Sequence, residues 1–419
     1  MREYYPRIAD GFVLDGLRGL GAVVLEGPKA CGKTETARRH AASEVLMDVD
    51  VDARDAARVD PRLILDGPTP RLIDEWQRSP GVWDAVRRAI DDRGSPGQFI
   101  LTGSASPAAD VSRHSGAGRM AVKTMRPMTL YEQRLSSGVV SVASLLDGSG
   151  AIPTTSDLDL GGYAERIVVG GWPALLGASV STAQEFVRGY LDLMIDHDVQ
   201  AVSGARRDPR LVRRFLYAYA QLTAHPSRVS TIVARALADA TDDEASPSRW
   251  AADPYLDALR RMMIVDEVEA WDPALRSRSR LTGVPKRHLV DPSLAAALLE
   301  CGPVRLLRDL NTLGFLFESL VTRDVRVYAE ASHASVFHYR ERAGGLEVDL
   351  IVERGDGAWL GMEVKLGGAH IDGAAASLLR LAETRIARPP SALVIVTATR
   401  YAFRRDDNVW VVPLGAIGP

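Results

Sequence analysis

"LEGPKACGKTETARRH", Leu25–His40, decides how the front of this 419-residue chain is read. Within it, Gly27, Gly32, Lys33 and Thr34 stand at the spacing GxxxxGKT. Before it runs "GAVVLEG" from Gly21, a short apolar, β-branched stretch of the kind that forms a buried parallel strand. After it, "KTETARRHAAS" holds helix formers and no breaker. Strand, glycine loop and helix are the setting a phosphate-binding loop needs, because N–H groups of the loop and the helix start then face the phosphates. The expected nucleotide-binding residues are therefore Gly27, Pro28, Lys29, Ala30, Cys31, Gly32, Lys33, Thr34 and Glu35. Lys33 would lie against the β and γ phosphates, and the Thr34 hydroxyl would bind Mg²⁺.

Two further stretches supply the rest of an ATPase site. In "PRLIDEWQ" a short apolar strand ends in Asp74 and Glu75; Asp74 would hold the magnesium through water and Glu75 would act as general base. Taken alone, such an acidic pair caps a following helix equally well. In "GQFILTGSAS" a third strand ends in Thr102, Gly103 and Ser104, where Ser104 would sense the γ-phosphate. Three parallel strands ending in polar chemistry make a ligand site of an open α/β sheet. Arg119, in the small-residue loop "HSGAGR", is read either as an arginine finger reaching a neighbouring subunit's phosphate or as a solvated arginine.

The run "GPKACGKT", "LIDEWQRSPGVWDAVRRAIDD", "GQFILTGSAS", "GAGR" and "RPMTLYE" resembles the AAA-type ATPases of bacteria and archaea that carry a C-terminal domain of unknown function. The resemblance implies binding and hydrolysis of ATP with Mg²⁺, with Lys33, Thr34, Asp74 and Glu75 on the family's motif positions. Ala30 and Cys31 depart from the residues usual in that loop.

Residues 136–161 are rich in Gly, Ser and Thr and read as a surface connection. "VVGGWPALL" then resembles the family's glycine turn, and from Pro209 several helices are expected, followed by the extended piece "DEVEAWDP". Three short helices and a hairpin would make a winged helix, which serves either to read a DNA groove or to pack. The stretch "LRSRSRLTGVPKRH" brings Arg276, Arg278, Arg280, Lys286 and Arg287 together without an acid and is expected to contact phosphates or to lie solvated.

The last hundred or so residues hold a second constellation. "GGLEVDLIVERGDGAWLGMEVKLGG" reads as a hairpin that brings Asp349 beside Glu363 and Lys365, the latter two sharing a strand face. That is the arrangement of the PD-(D/E)xK nucleases, which this part resembles, with Val348 in place of the usual proline. Asp349 and Glu363 would ligate Mg²⁺ or Mn²⁺, Lys365 would steady developing charge, and Glu318 on an upstream helix would complete the metal site. The other reading of these residues is a surface ion-pair cluster or an inactive binding module.

Composition sets the frame. A 46% hydrophobic and 25% charged chain with a net charge of −3 is expected to fold as several domains. Cys31 and Cys301 are too few for a disulfide framework, and no apolar run is long enough for a membrane span, so the cytoplasm is the simplest address. The expected architecture is α/β: an AAA-like P-loop parallel-sheet domain over 1–135, a linker and helical connector over 136–208, a winged-helix-like region over 209–300 and a nuclease-like α/β domain over 301–419. The expected function is that of an ATP-binding, ATP-hydrolysing protein acting as an ATP-regulated, metal-dependent DNA nuclease. The alternative is an ATP-dependent DNA-binding or signalling switch with an inactive nuclease-like domain. DNA is the expected partner, and a finger working in trans would require a homo-oligomer.

Overall fold

The computed structural model describes residues 3–105, 115–203, 208–238, 252–274, 283–341 and 345–419. The front of the chain builds a five-stranded parallel sheet in the order β2-β3-β4-β1-β5. Its strands are β1 (Ala22–Glu26), β2 (Ser43–Leu46), β3 (Arg71–Asp74), β4 (Phe99–Gly103) and β5 (Met120–Thr124). Helices α1 (Ile8–Gly19), α2 (Lys33–Arg38), α3 (Val51–Val59) and α4 (Gly81–Arg93) cover it. β1 explains why the run "AVVLE" is apolar on both sides: Ala22 and Val24 belong to one core with Trp83, Val86 and Ile90 of α4. Val23 and Leu25 belong to another with Val13 of α1 and Ala37 of α2.

The rear of the chain builds a seven-stranded sheet in the order β7-β12-β13-β11-β10-β9-β8. Its members are β7 (Thr154–Thr155), β8 (Ala334–Arg340), β9 (Glu347–Arg354), β10 (Trp359–Lys365), β11 (Ala392–Thr397), β12 (Tyr401–Arg404) and β13 (Trp410–Pro413). β8, β9 and β10 pair antiparallel, whereas β10, β11 and β13 run parallel. The long helix Leu310–Ala331 precedes β8, and the helix Ile371–Thr384 crosses over from β10 to β11. Leu350, Val352, Leu360 and Met362 face Leu313, Phe317 and Leu320 of the long helix. Val348, Ile351 and Trp359 face Ala374, Leu378 and Leu381 of the crossover helix.

The stretch expected as a surface connection is instead built into the rear of the molecule. β6 (Val140–Ser141) pairs with β14 (Ile417–Gly418), β7 extends the large sheet beside β12, and Val142, Leu145 and Leu146 are buried. Small residues suit this, because the chain must pass close to the C-terminal backbone: Ser136 Oγ donates to Ile417 O at 2.6 Å and Ser141 Oγ to Pro419 O at 2.6 Å.

The middle helices Leu160–Val169, Val180–Leu193, Pro209–Gln221 and Val229–Leu237 share one apolar core with the large sheet. After the helix Ala252–Arg261, extended segments 264–271 and 284–290 run antiparallel, joined by Val268 N to Lys286 O at 3.0 Å and Lys286 N to Val268 O at 2.9 Å. The first segment also lies along β8, with Trp271 N donating to His338 O at 2.7 Å. Arg276, Arg278 and Arg280, expected to contact phosphates, lie outside the described residues. Lys286 and Arg287, expected in that same basic loop, are buried, which corrects their reading as surface cations. No helix among the described residues is long and apolar enough to cross a membrane.

Candidate functional site

The glycine loop leaves β1 and enters α2, as its spacing predicts. A Cβ at Gly27 would lie 2.3 Å from Met125 O, so only glycine lets the loop start pass under the chain that follows β5. Gly32 precedes α2 with φ 101°, a left-handed conformation. Lys33 is buried and its ammonium donates to Gly27 O and Pro28 O, both at 2.9 Å, folding back over the loop that it would share with phosphates. The first N–H groups of any helix lack intrahelical acceptors, so the start of α2 offers donors to an anion held there.

The ends of β3 and β4 meet this loop. Thr34 Oγ1 donates to Asp74 Oδ1 at 2.8 Å, and Thr102 Oγ1 donates to the same oxygen. Burial raises the Asp74 carboxyl above its ordinary value, against the two hydroxyl donors that favour its charge. Hydroxyl and carboxylate oxygens side by side are the donor set a hard Mg²⁺ takes in a phosphate-loop site, so these residues fit that ion. Glu75 adopts φ 51°, left-handed for a residue with a side chain, a conformation that costs about 1–3 kcal/mol and recurs where a site dictates geometry. Its N–H donates to Thr102 Oγ1 at 3.2 Å, and its Oε2 accepts from Ser104 Oγ at 2.7 Å and from Gln77.

Lys33, Thr34, Asp74, Glu75 and Ser104 thus converge, while three other predicted residues stand elsewhere. Glu35 is exposed and turns to Arg38 at 2.7 Å, leaving only its backbone N–H to the loop. Lys29 is drawn outward to Asp198 at 2.6 Å. Arg119 precedes β5 at the amino-terminal edge of the sheet, bound to Asp91 at 2.6 Å. Because Met120 pairs with Ala22, and the loop follows Glu26, Arg119 is roughly 16 Å from the loop along a strand rising about 3.3 Å per residue. It does not serve the nucleotide site of its own chain. Arg7 was not foreseen: its guanidinium donates to Cys31 O at 2.8 Å, Arg126 O at 2.7 Å and Glu132 Oε1 at 3.0 Å, clamping the loop to the "RPMTLYE" stretch.

The hairpin of β9 and β10 forms in the expected register, with Met362 opposite Leu350. It brings Asp349 under β10, where Val364 N donates to its Oδ2 at 2.9 Å. Lys365 Nζ lies 2.6 Å from Glu363 Oε2 and 3.4 Å from Asp349 Oδ2. Glu318, on the long helix, joins them through a residue that the sequence did not suggest: Lys286 Nζ lies 2.6 Å from Glu318 Oε1 and 3.2 Å from Asp349 Oδ1. A cleft of about 800 Å³ opens beside Glu318, Asp349 and Lys365, lined also by His225, Phe315 and Arg340.

The charges in this cluster are unevenly held. Burial, with Asp349 beside each, pushes the Glu318 and Glu363 carboxyls up to about 8. Burial works on Asp349 in the same direction, but Lys286 and Lys365 outweigh it and hold that carboxyl down at about 2. Three carboxylates are therefore assembled as predicted, but around two ammonium groups. Among the described residues no group of three or more His, Cys, Asp or Glu side chains is disposed to hold a metal ion. The reading of Glu318, Asp349 and Glu363 as a ready metal site is corrected accordingly: with Lys286 between Glu318 and Asp349, the residues do not fit a divalent ion in this conformation.

The fold and site define an α/β protein with an AAA-type nucleotide domain at its front. Residues 21–133 match the family model described as AAA domain. Residues 161–305 and 313–417 match two models described as domains of unknown function, DUF8612 and DUF4143. Two curated relatives are similar over nearly the whole chain: the uncharacterized protein Mb2031c of Mycobacterium bovis and the uncharacterized protein Rv2008c of Mycobacterium tuberculosis. Each is 26% identical over 401 residues, covering 94% of this chain and 80% of the relative.

Proposed function

We propose that this chain binds Mg²⁺ and ATP, hydrolyses the nucleotide, and uses it to govern a nuclease-like module at its rear. The observation that carries the first part is the meeting of Lys33, Thr34, Asp74, Glu75 and Ser104 at the carboxyl ends of three adjacent parallel strands. The AAA domain match over residues 21–133 supports the same reading. Lys33 leaves its loop carbonyls for the phosphates, Thr34 and Asp74 hold the metal, Glu75 takes the proton of the attacking water, and Ser104 orients the Glu75 carboxylate. Phosphate release measured with Mg²⁺ and ATP, beside Lys33→Ala, tests it; turnover that survives that substitution removes the assignment.

For the rear module, the succession of helix, β8, β9, β10, helix and β11, with Asp349, Glu363 and Lys365 on neighbouring strands, supports a PD-(D/E)xK-like unit. The helices 209–261 with the antiparallel pair 264–271 and 284–290 support a winged-helix reading and DNA as partner. The position of Lys286 favours the second of two forms of this proposal, a switch that grips DNA without cutting it while the cluster is closed. Supercoiled plasmid incubated with Mg²⁺ or Mn²⁺, with and without ATP, separates them. Nicking that disappears in Lys365→Ala favours a nuclease, and DNA retention without product favours the switch.

A further inference from the structure

The carboxylate cluster is closed by a cation that the chain itself supplies. Lys286, with a side chain 1% exposed, touches Glu318 and Asp349 and lies 3.8 Å from Glu347. The second oxygen of Asp349 is already taken by Val364 N and Lys365. A divalent ion ligated by Glu318 and Asp349 would sit about 2.0–2.6 Å from their oxygens, in the space that the Lys286 ammonium fills. Two cations at that separation in a buried site repel strongly, so the two occupants exclude each other.

Lys286 reaches the cluster from the paired segments 264–271 and 284–290, outside the large sheet. Asp266 N donates to His288 O at 2.8 Å in the same pair, and the Asp266 carboxylate takes Arg126 Nε at 2.6 Å and Nη2 at 3.1 Å. Arg126 follows Met125, whose carbonyl packs over Gly27 and accepts Cys31 Sγ at 3.5 Å. Arg7 bonds both Cys31 O and Arg126 O. From the phosphate loop to Lys286 there is one unbroken series of direct contacts, of the kind through which two sites bias a shared element.

We infer that Lys286 decides which cation the Asp349 cluster holds, and that the phosphate loop governs its withdrawal through Arg126 and Asp266. The exchange of ammonium for metal stands on the cluster alone; the control by the loop rests on the nucleotide reading proposed above. Withdrawing Lys286 without replacement would strand buried carboxylates, which is why a metal must enter as it leaves.

The test counts Mn²⁺ bound by the nucleotide-free full chain, from the electron paramagnetic resonance of the free ion. Wild type is compared with Lys286→Met, which keeps the length of the side chain and removes its charge, and with Lys286→Met combined with Asp349→Asn. Lys286→Met is expected to hold one more Mn²⁺ per chain, roughly tenfold or more tighter than wild type, the usual scale of coupled equilibria. The double variant loses it. Equal binding by wild type and Lys286→Met, or an extra ion that persists without Asp349, overturns the inference. Acylation of the Lys286 amine in wild type, read by mass spectrometry, needs no variant to fold. Lys286 is expected to be protected in the free chain and to become reactive with Mn²⁺ and a non-hydrolysable ATP analogue. If the analogue binds by fluorescence and Lys286 stays protected, the coupling fails; if the analogue does not bind, the nucleotide reading fails instead.

Discussion

Lys286 and Asp349, 63 positions apart in the chain, meet at 3.2 Å beneath the surface. The contact joins the paired segments after the middle helices to the hairpin of the large sheet. It makes the cluster of Glu318, Asp349, Glu363 and Lys365 depend on an element outside that sheet.

The cluster should register in the pH dependence of stability. Glu318 and Glu363, raised to about 8 by burial and by Asp349, stand above the unfolded value of about 4.3. Between those values the folded chain holds more protons than the unfolded one, so stability falls as pH rises, by at most about 1.4 kcal/mol per pH unit per group. Asp349 has the opposite sign: its contribution is present above about 3.9 and is lost as pH falls toward its folded value of about 2. The urea midpoint is expected to decline from pH 5 to pH 8, and Glu318→Gln to flatten part of that decline. An unchanged slope in Glu318→Gln would show that the carboxyl is not held protonated.

Nucleotide chemistry separates by residue. Lys33→Ala is expected to lower ATP turnover by about a hundredfold or more, the cost of removing a charge that stabilises the transition state. Glu75→Gln should bind a fluorescent ATP analogue as wild type does while turnover falls by about 10²–10⁴, as for a lost general base. Equal loss of binding and turnover in Glu75→Gln would reassign it to holding the nucleotide.

Arg126 couples the front sheet to the rear of the molecule. Its side chain is 4% exposed, bound to Asp266 and to Glu330 at 2.6 Å. Arg126→Met is expected to destabilise the chain toward the lower end of about 3–5 kcal/mol, because Arg326 and Lys123 still reach the two acids. Arg126 holds both carboxyls below their ordinary values against the opposing effect of burial, so its stabilisation is present above about pH 4 and lost on acidification. Urea unfolding of wild type and Arg126→Met at pH 7 and pH 4 reads this directly, the gap between them narrowing at the lower pH.

Arg119 acts only between chains, if it acts in turnover. ATP hydrolysis per chain should then rise with protein concentration, and Arg119→Ala should remove that rise while leaving the dilute rate unchanged. A concentration-independent rate in both proteins would return Arg119 to a surface partner of Asp91.

Local pattern was legible wherever chemistry and element coincide. The apolar run of β1, the glycines before α2, the acids after β3 and the polar end of β4 each lie within a few residues of the motif that marks them. The hairpin turn placed Asp349 beside Glu363 for the same reason, since strand alternation and a short turn settle register without help from elsewhere. The stretch after Ser136 was misread because small residues mark a loop and a close backbone passage alike, and only its partner, the C-terminal strand β14, distinguishes them.

Lys286 marks the limit of such reading. In sequence it stands with arginines and looks solvated; in the fold its ammonium enters an acidic interior assembled from Glu318 and Asp349, 32 and 63 positions away. The fate of a charged side chain is set by the solvation and partners of its final position, which nearby residues do not encode. The chain's residues determine that it builds a phosphate loop and an acid-rich hairpin, because those depend on backbone geometry and short-range spacing. Tertiary packing alone decides which cation fills the hairpin's cluster and which loop it answers to, because burial and Coulomb partners exist only once distant segments have met.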